Sequence, residues 1–205
     1  MFLPGYLAQA GAGQAVSADA FDNPLFHLQN LAVGVPHILL LLFIVQMRQN
    51  VSLEDVGWVT IKPVDVVVGL AAAVMALALS LATSALYSTV AGTTGDSFSF
   101  AGPSPTMLPA VVLTGFVTGY REELFFRSYL ITRLRSTGVG SAPAVAASVF
   151  LFSIGHIYQG LMGFFVTMLL GLFFSLLYLY TGKLHPAAIG HAGYNILALY
   201  VSNLL

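Results

Sequence analysis

Between Val66 and Val90 the chain runs for 25 residues without an Asp, Glu, Lys or Arg. At about 1.5 Å of rise per residue, a helix of that length crosses the roughly 30 Å hydrocarbon core of a bilayer. Backbone polar groups in lipid must be satisfied within the chain, so only helices and closed barrels span it. An uninterrupted apolar stretch selects the helix. Similar stretches recur at about Leu31–Met47, Val64–Val90, Thr106–Leu134, Ala142–Tyr158, Leu161–Tyr180 and Pro186–Leu204. Charged residues make up 7% of the 205, where a soluble domain carries about 25%. The expected fold is therefore all-α, a polytopic transmembrane helical bundle of about six spans. Residues 1–30 read as an N-terminal tail or interfacial segment. Residues 31–205 read as one transmembrane domain whose functional core falls at about 106–200.

The basic residues between the stretches alternate. Arg48, Lys62, Arg133, Arg135 and Lys183 fall in the first, third and fifth loops, and the remaining loops hold no Lys or Arg. By the positive-inside rule those three loops face the cytoplasm and both termini face out, in the plasma or inner membrane if the host is a prokaryote. A net charge of −1 gives no reason to expect nucleic-acid binding, and the absence of cysteine removes disulfides, thiolate metal sites and a cysteine nucleophile. The first residues lack a basic n-region and a continuous apolar h-region, so no cleaved signal peptide is expected.

Against this background the stretch Tyr120–Arg127 stands out, because Arg121, Glu122, Glu123 and Arg127 place four ionisable side chains inside the third apolar segment. Each such charge costs roughly 2.5–3.5 kcal/mol at the centre of a spanning helix, so four uncompensated ones cost on the order of 10 kcal/mol. Internal pairing has to offset that. Glu123 and Arg127 are spaced i, i+4 with the acid first, the favourable order for a pair. Glu122 lies about 100° round the helix and is freer to face a cavity. Two further segments carry polar groups: Phe152 and His156 on the fourth, and His191 and Asn195 on the sixth, each pair again i, i+4. Counted from the cytoplasmic ends, Glu122, His156, His191 and Asn195 lie roughly 10–20 Å along their helices, which permits one shared site between helices three, four and six. Gly190, Ala192 and Gly193 let another helix approach closely there. His27, His37 and His185 read as bystanders, Arg121 as one more paired charge, and the aromatic run of the fifth segment as lipid-facing or core.

Glu122-Glu123-x-x-x-Arg127, Phe152-x-x-x-His156 and His191-x-x-x-Asn195, in this order on three helices, resemble the signatures of the CPBP family of intramembrane proteases. That family includes the type II CAAX prenyl endopeptidases and the Abi, or bacteriocin self-immunity, proteins. The resemblance implies that Glu122 activates water with help from His156, that His191 and Asn195 stabilise the oxyanion, and that Glu123 and Arg127 organise the site; Phe152, sharing a helix face with His156, is expected to wall the pocket beside it. It implies a membrane-associated peptide or protein substrate, prenylated where the host makes such proteins. A zinc ion held by Glu122, His156 and His191 is the alternative to a Glu–His base. No His-x-x-x-His pair fixes two ligands on one helix face, so hydrolysis with no cofactor is favoured. The leading expectation is an intramembrane endopeptidase. The runner-up is a non-proteolytic immunity or scaffold protein of the same family, and a small transporter is disfavoured by the lack of an inverted repeat.

Overall fold

The computed structural model describes residues 18–47, 52–92 and 103–201, which form helices and no strand. There are six rods: α1 (Pro24–Met47), α2 (Pro63–Ala91), α3, α4 (Ser141–Ile154), α5 (Gly160–Thr181) and α6 (Leu184–Val201). The rod α3 is composite, running α-helical over Leu108–Glu123, π-helical over Leu124–Ile131 and α-helical again over Thr132–Ser136. Short 3₁₀ turns cover Ala18–Asp22, Pro105–Met107 and Ile157–Gln159. The architecture is an all-α membrane bundle, with α1, α2 and the stretch Ile157–Thr181 each long and apolar enough to cross a bilayer.

Several boundaries differ from those read in the sequence. Helix α1 begins at Pro24 rather than near Leu31, because the Asn23 side chain accepts the Leu25 amide at 2.9 Å and Pro24 suits the first helical position. Helix α4 stops at Ile154, so His156 lies just beyond it with φ −109° and ψ 8° instead of within it. Arg48, residues 1–17 of the expected tail, most of the loop after Gly92, and Leu204 lie outside the described residues.

The bundle is built around one helix. Helix α6 sits at the centre, and Leu184 through Ala192 are all buried. Two glycines make this possible. A Cβ on Gly119 would lie 2.8 Å from the Ala192 amide nitrogen, and one on Gly190 would lie 2.9 Å from the Ala72 Cβ. Small residues at these crossings let α3 and α2 press their backbones against α6, as membrane helices do where packing replaces the hydrophobic effect. Ala72, Ala76, Val166, Leu170, Phe174 and Ala187 complete the contact of α2, α5 and α6.

The loop joining α1 to α2 is folded onto one end of the bundle. Gly57, at φ +73°, accepts the Leu184 amide at 2.9 Å through its carbonyl. The Ser128 hydroxyl donates to the Val56 carbonyl, and His185 Nε2 donates to the Val59 carbonyl at 2.6 Å. Lys183 Nζ pairs with Asp65 at 2.8 Å. The first and fifth loops thus share an end. At the other end, the Ser104 amide donates to Asp22 at 2.7 Å, which joins the N-terminal segment to the start of α3.

Candidate active site

The site grows from the point where α3 changes winding. After Glu123 the helix opens to π geometry, a feature that occurs mostly as short insertions at functional places in helices. The Phe126 carbonyl within the π stretch accepts the Ser148 hydroxyl of α4 at 2.7 Å. Glu123 and Arg127, on either side of the transition, have no exposed side-chain surface and approach to 3.0 Å through Glu123 Oε1 and Arg127 Nη1. The approach is too oblique for a hydrogen bond, so the attraction is one of charge. Arg127 is held further by the Phe152 ring, whose centroid lies 4.2 Å from the guanidinium carbon, and by the Gly171 carbonyl at 3.4 Å from Nη2.

Glu123 has a second partner. His191 Nδ1 lies 2.7 Å from the same Oε1, bringing α6 onto α3 across 68 residues of sequence. The His191 ring stacks on Phe174 of α5 with centroids 5.2 Å apart and planes at 15°, and meets the edge of Phe152 at 5.9 Å. Its other nitrogen, Nε2, faces Glu122 Oε2 at 3.8 Å. Glu122 Oε1 accepts from Arg121 Nη2 at 3.0 Å, and the Glu122 side chain keeps 12% of its surface exposed. It therefore lines the edge of the buried cluster rather than its centre. His156 Nδ1 donates to the Phe152 carbonyl at 2.8 Å, and its ring lies 4.5 Å from that of Phe152. Asn195 is half-buried, one turn beyond His191 on α6; among the described residues no hydrogen bond ties it to the other groups.

Glu122, Glu123, Arg127, Phe152, His156 and His191 are thus gathered in one place, and Asn195 stands beside them. Phe174 and Gly171 were not foreseen. Phe174 is one ring in an aromatic run where every member looks alike, and Gly171 acts through its carbonyl. Two of the remaining histidines serve elsewhere: His27 hydrogen-bonds Thr114 and the Phe21 carbonyl, and His185 binds Tyr120 as well as Val59. Among the described residues no group of three or more His, Cys, Asp or Glu is gathered so as to hold a metal ion. Glu122, His156 and His191 do not converge as a ligand set in this arrangement, and no step below runs through a metal.

Apolar helices around a buried carboxylate–histidine cluster define an integral membrane protein with a site equipped for proton chemistry. The model of the type II CAAX prenyl endopeptidase Rce1-like family matches residues 104–197, the stretch that holds every residue of the cluster. That stretch, just under half of the chain, is similar to the type II CAAX prenyl endopeptidases, and the match supports a place in the CAAX-protease family, whose members act on membrane-associated, prenylated substrates. No curated protein and no solved structure matches the chain.

Proposed function

We propose that this protein is an active endopeptidase that hydrolyses a peptide bond of a membrane-associated, prenylated substrate with water activated by Glu122. The supporting observation is the placement of Glu122: Arg121 occupies Oε1, while Oε2 faces His191 Nε2 at 3.8 Å. A carboxylate with one oxygen anchored and one available beside an imidazole suits a general base. His156, whose Nδ1 is engaged by a backbone carbonyl, offers Nε2 as a second polar group to the water. Water attacks the peptide carbonyl carbon, its proton passes to Glu122, and the same proton goes to the leaving nitrogen as the C–N bond breaks. The Asn195 side-chain amide donates to the oxyanion. Donors placed at developing charge in a site shielded from water supply a large share of the rate enhancement.

Hydrolysis needs no metal in this scheme. The basic loops around Lys62, Arg133, Arg135 and Lys183 face the cytoplasm, the N-terminal segment and the start of α3 face out, and the site opens toward the cytoplasm. The test is cleavage of prenylated and unprenylated peptides by purified protein in lipid, with Glu122→Ala as control. Cleavage that Glu122→Ala abolishes is the expected result. Equal cleavage by the variant, or none by the wild type, refutes the reading.

A further inference from the structure

We propose that Arg121 is a positioning residue for Glu122, and that α1, which lies outside the matched stretch 104–197, keeps it in that role by walling in its side chain. This rests on the hydrolytic reading given above and extends it to a residue and a helix outside the three signatures.

Adjacent residues on a helix diverge by about 100° and do not face each other, so their side chains meet only where one is bent toward the other. A long arginine in a membrane helix ordinarily reaches for the interface, where its charge stays hydrated. Arg121 does not: it is 5% exposed, and its Nη2 donates to Glu122 Oε1 at 3.0 Å. The wall behind it belongs to α1. Gly34 lies against Val117 and Arg121, which are one turn apart on α3. A Cβ on Gly34 would sit 2.5 Å from Val117 Cγ1 and 4.0 Å from Arg121 Nη1. Ile38 and Leu41, four and seven residues after Gly34, continue the same stripe of α1 and pack with Tyr120 and Leu124 on either side of Arg121. His37, also on α1, is within electrostatic reach of the guanidinium. Two consequences follow for Glu122. Its Oε1 is fixed, which leaves Oε2 for the water. A cation at hydrogen-bond distance also offsets the cost of a charged carboxylate inside a spanning helix, so the base stays ionised. Arg127 does not replace Arg121 in this, because its ion pair is with Glu123.

The experiment uses the full chain in lipid nanodiscs and reads the Glu122 carboxyl by infrared spectroscopy at neutral pH, its band assigned by comparison with Glu122→Gln. The wild type should show Glu122 as a carboxylate. Arg121→Met should show it as a protonated acid and lower kcat by about 10²-fold, the low end of the loss when a general base fails, with KM little changed. Arg121→Gln is read in the same way where the methionine variant does not fold. Arg121→Lys, which keeps the charge, should keep the carboxylate and recover part of kcat. Gly34→Ala should lower kcat by displacing α1, and Gly34→Ala/Val117→Ala, which removes the obstructing methyl, should restore it. A protonated Glu122 in the wild type, or a carboxylate that survives loss of the Arg121 charge, overturns the proposal whatever the activity. Wild-type kcat in Gly34→Ala overturns the part given to α1. If the Glu122 band follows Arg121 as stated and no prenylated peptide is cleaved, the positioning role stands and the hydrolytic reading fails.

Discussion

Replacing Glu123 with alanine should unfold this protein far more readily than replacing its neighbour. Glu123 is fully buried and serves two groups through one oxygen, Arg127 at 3.0 Å and His191 at 2.7 Å. Truncating it leaves the Arg127 guanidinium, also fully buried, with the Phe152 and Phe126 rings, the Gly171 carbonyl and the more distant Glu122 carboxylate in place of its ion-pair partner. Breaking one side of a buried pair typically costs about 3–5 kcal/mol. For a chain of this size each kcal/mol moves the melting temperature by about 2–4 °C, so a drop of roughly 6–20 °C is expected. Glu122 is partly exposed, and its loss gives up one hydrogen bond to Arg121, so the drop for Glu122→Ala should be less than half as large. A second comparison isolates the cause. Replacing both members of a buried ion pair with apolar groups is often close to neutral, so Glu123→Met/Arg127→Met should regain most of the stability lost in Glu123→Ala. Thermal melts of the four proteins in one detergent, followed by circular dichroism, decide the matter. Equal melting temperatures for the two single variants, or a double variant no better than Glu123→Ala, would refute the reasoning.

Four other outcomes follow from the same structure. Glu122→Gln should reduce peptide cleavage by at least about 10²–10⁴ and Asn195→Ala by about 10²–10³, both with wild-type melting curves. Single cysteines at Asn23 and Ser136 of this cysteine-free chain should react with impermeant reagents from opposite sides of the membrane, Ser136 from the cytoplasmic side; labelling from one side would contradict the assigned orientation. Activity of the purified protein should survive exhaustive chelation, and loss that zinc alone restores would instead establish a metal enzyme. Gly57→Ala should lower the melting temperature by several degrees, because the backbone there is left-handed and a Cβ would lie 2.9 Å from the Leu184 nitrogen.

How much could be read in advance depended on how local each feature is. The charges of α3 were conspicuous because ionisable groups in lipid are rare, and the i, i+4 spacing of Glu123 and Arg127 named their partnership. The bond from His191 to Glu123 was not legible, since it joins two helices 68 residues apart and nothing in either helix states how the other is rotated. The end of α4 was misplaced because Gly155 sits in an otherwise apolar run and gives only a faint stop signal. The loop joining α1 to α2 passed as a plain polar linker, although its Gly57-Trp58 pair marks a tight turn with a large ring to bury. Trp58 packs edge-on against both Tyr120 and His185, which is where that ring goes.

The same loop sets an order of events during synthesis. The carbonyls of Val56, Gly57 and Val59 leave the ribosome long before the Leu184 amide and the His185 ring that bind two of them. Glu123 and Arg127 likewise emerge before His191, the last of the buried groups. Until α6 enters the bilayer, the nascent chain carries a cluster of charges with no imidazole to complete it. The cluster therefore closes only when α6 is delivered, and under the proposed hydrolytic reading a chain that stalls before that point cuts nothing.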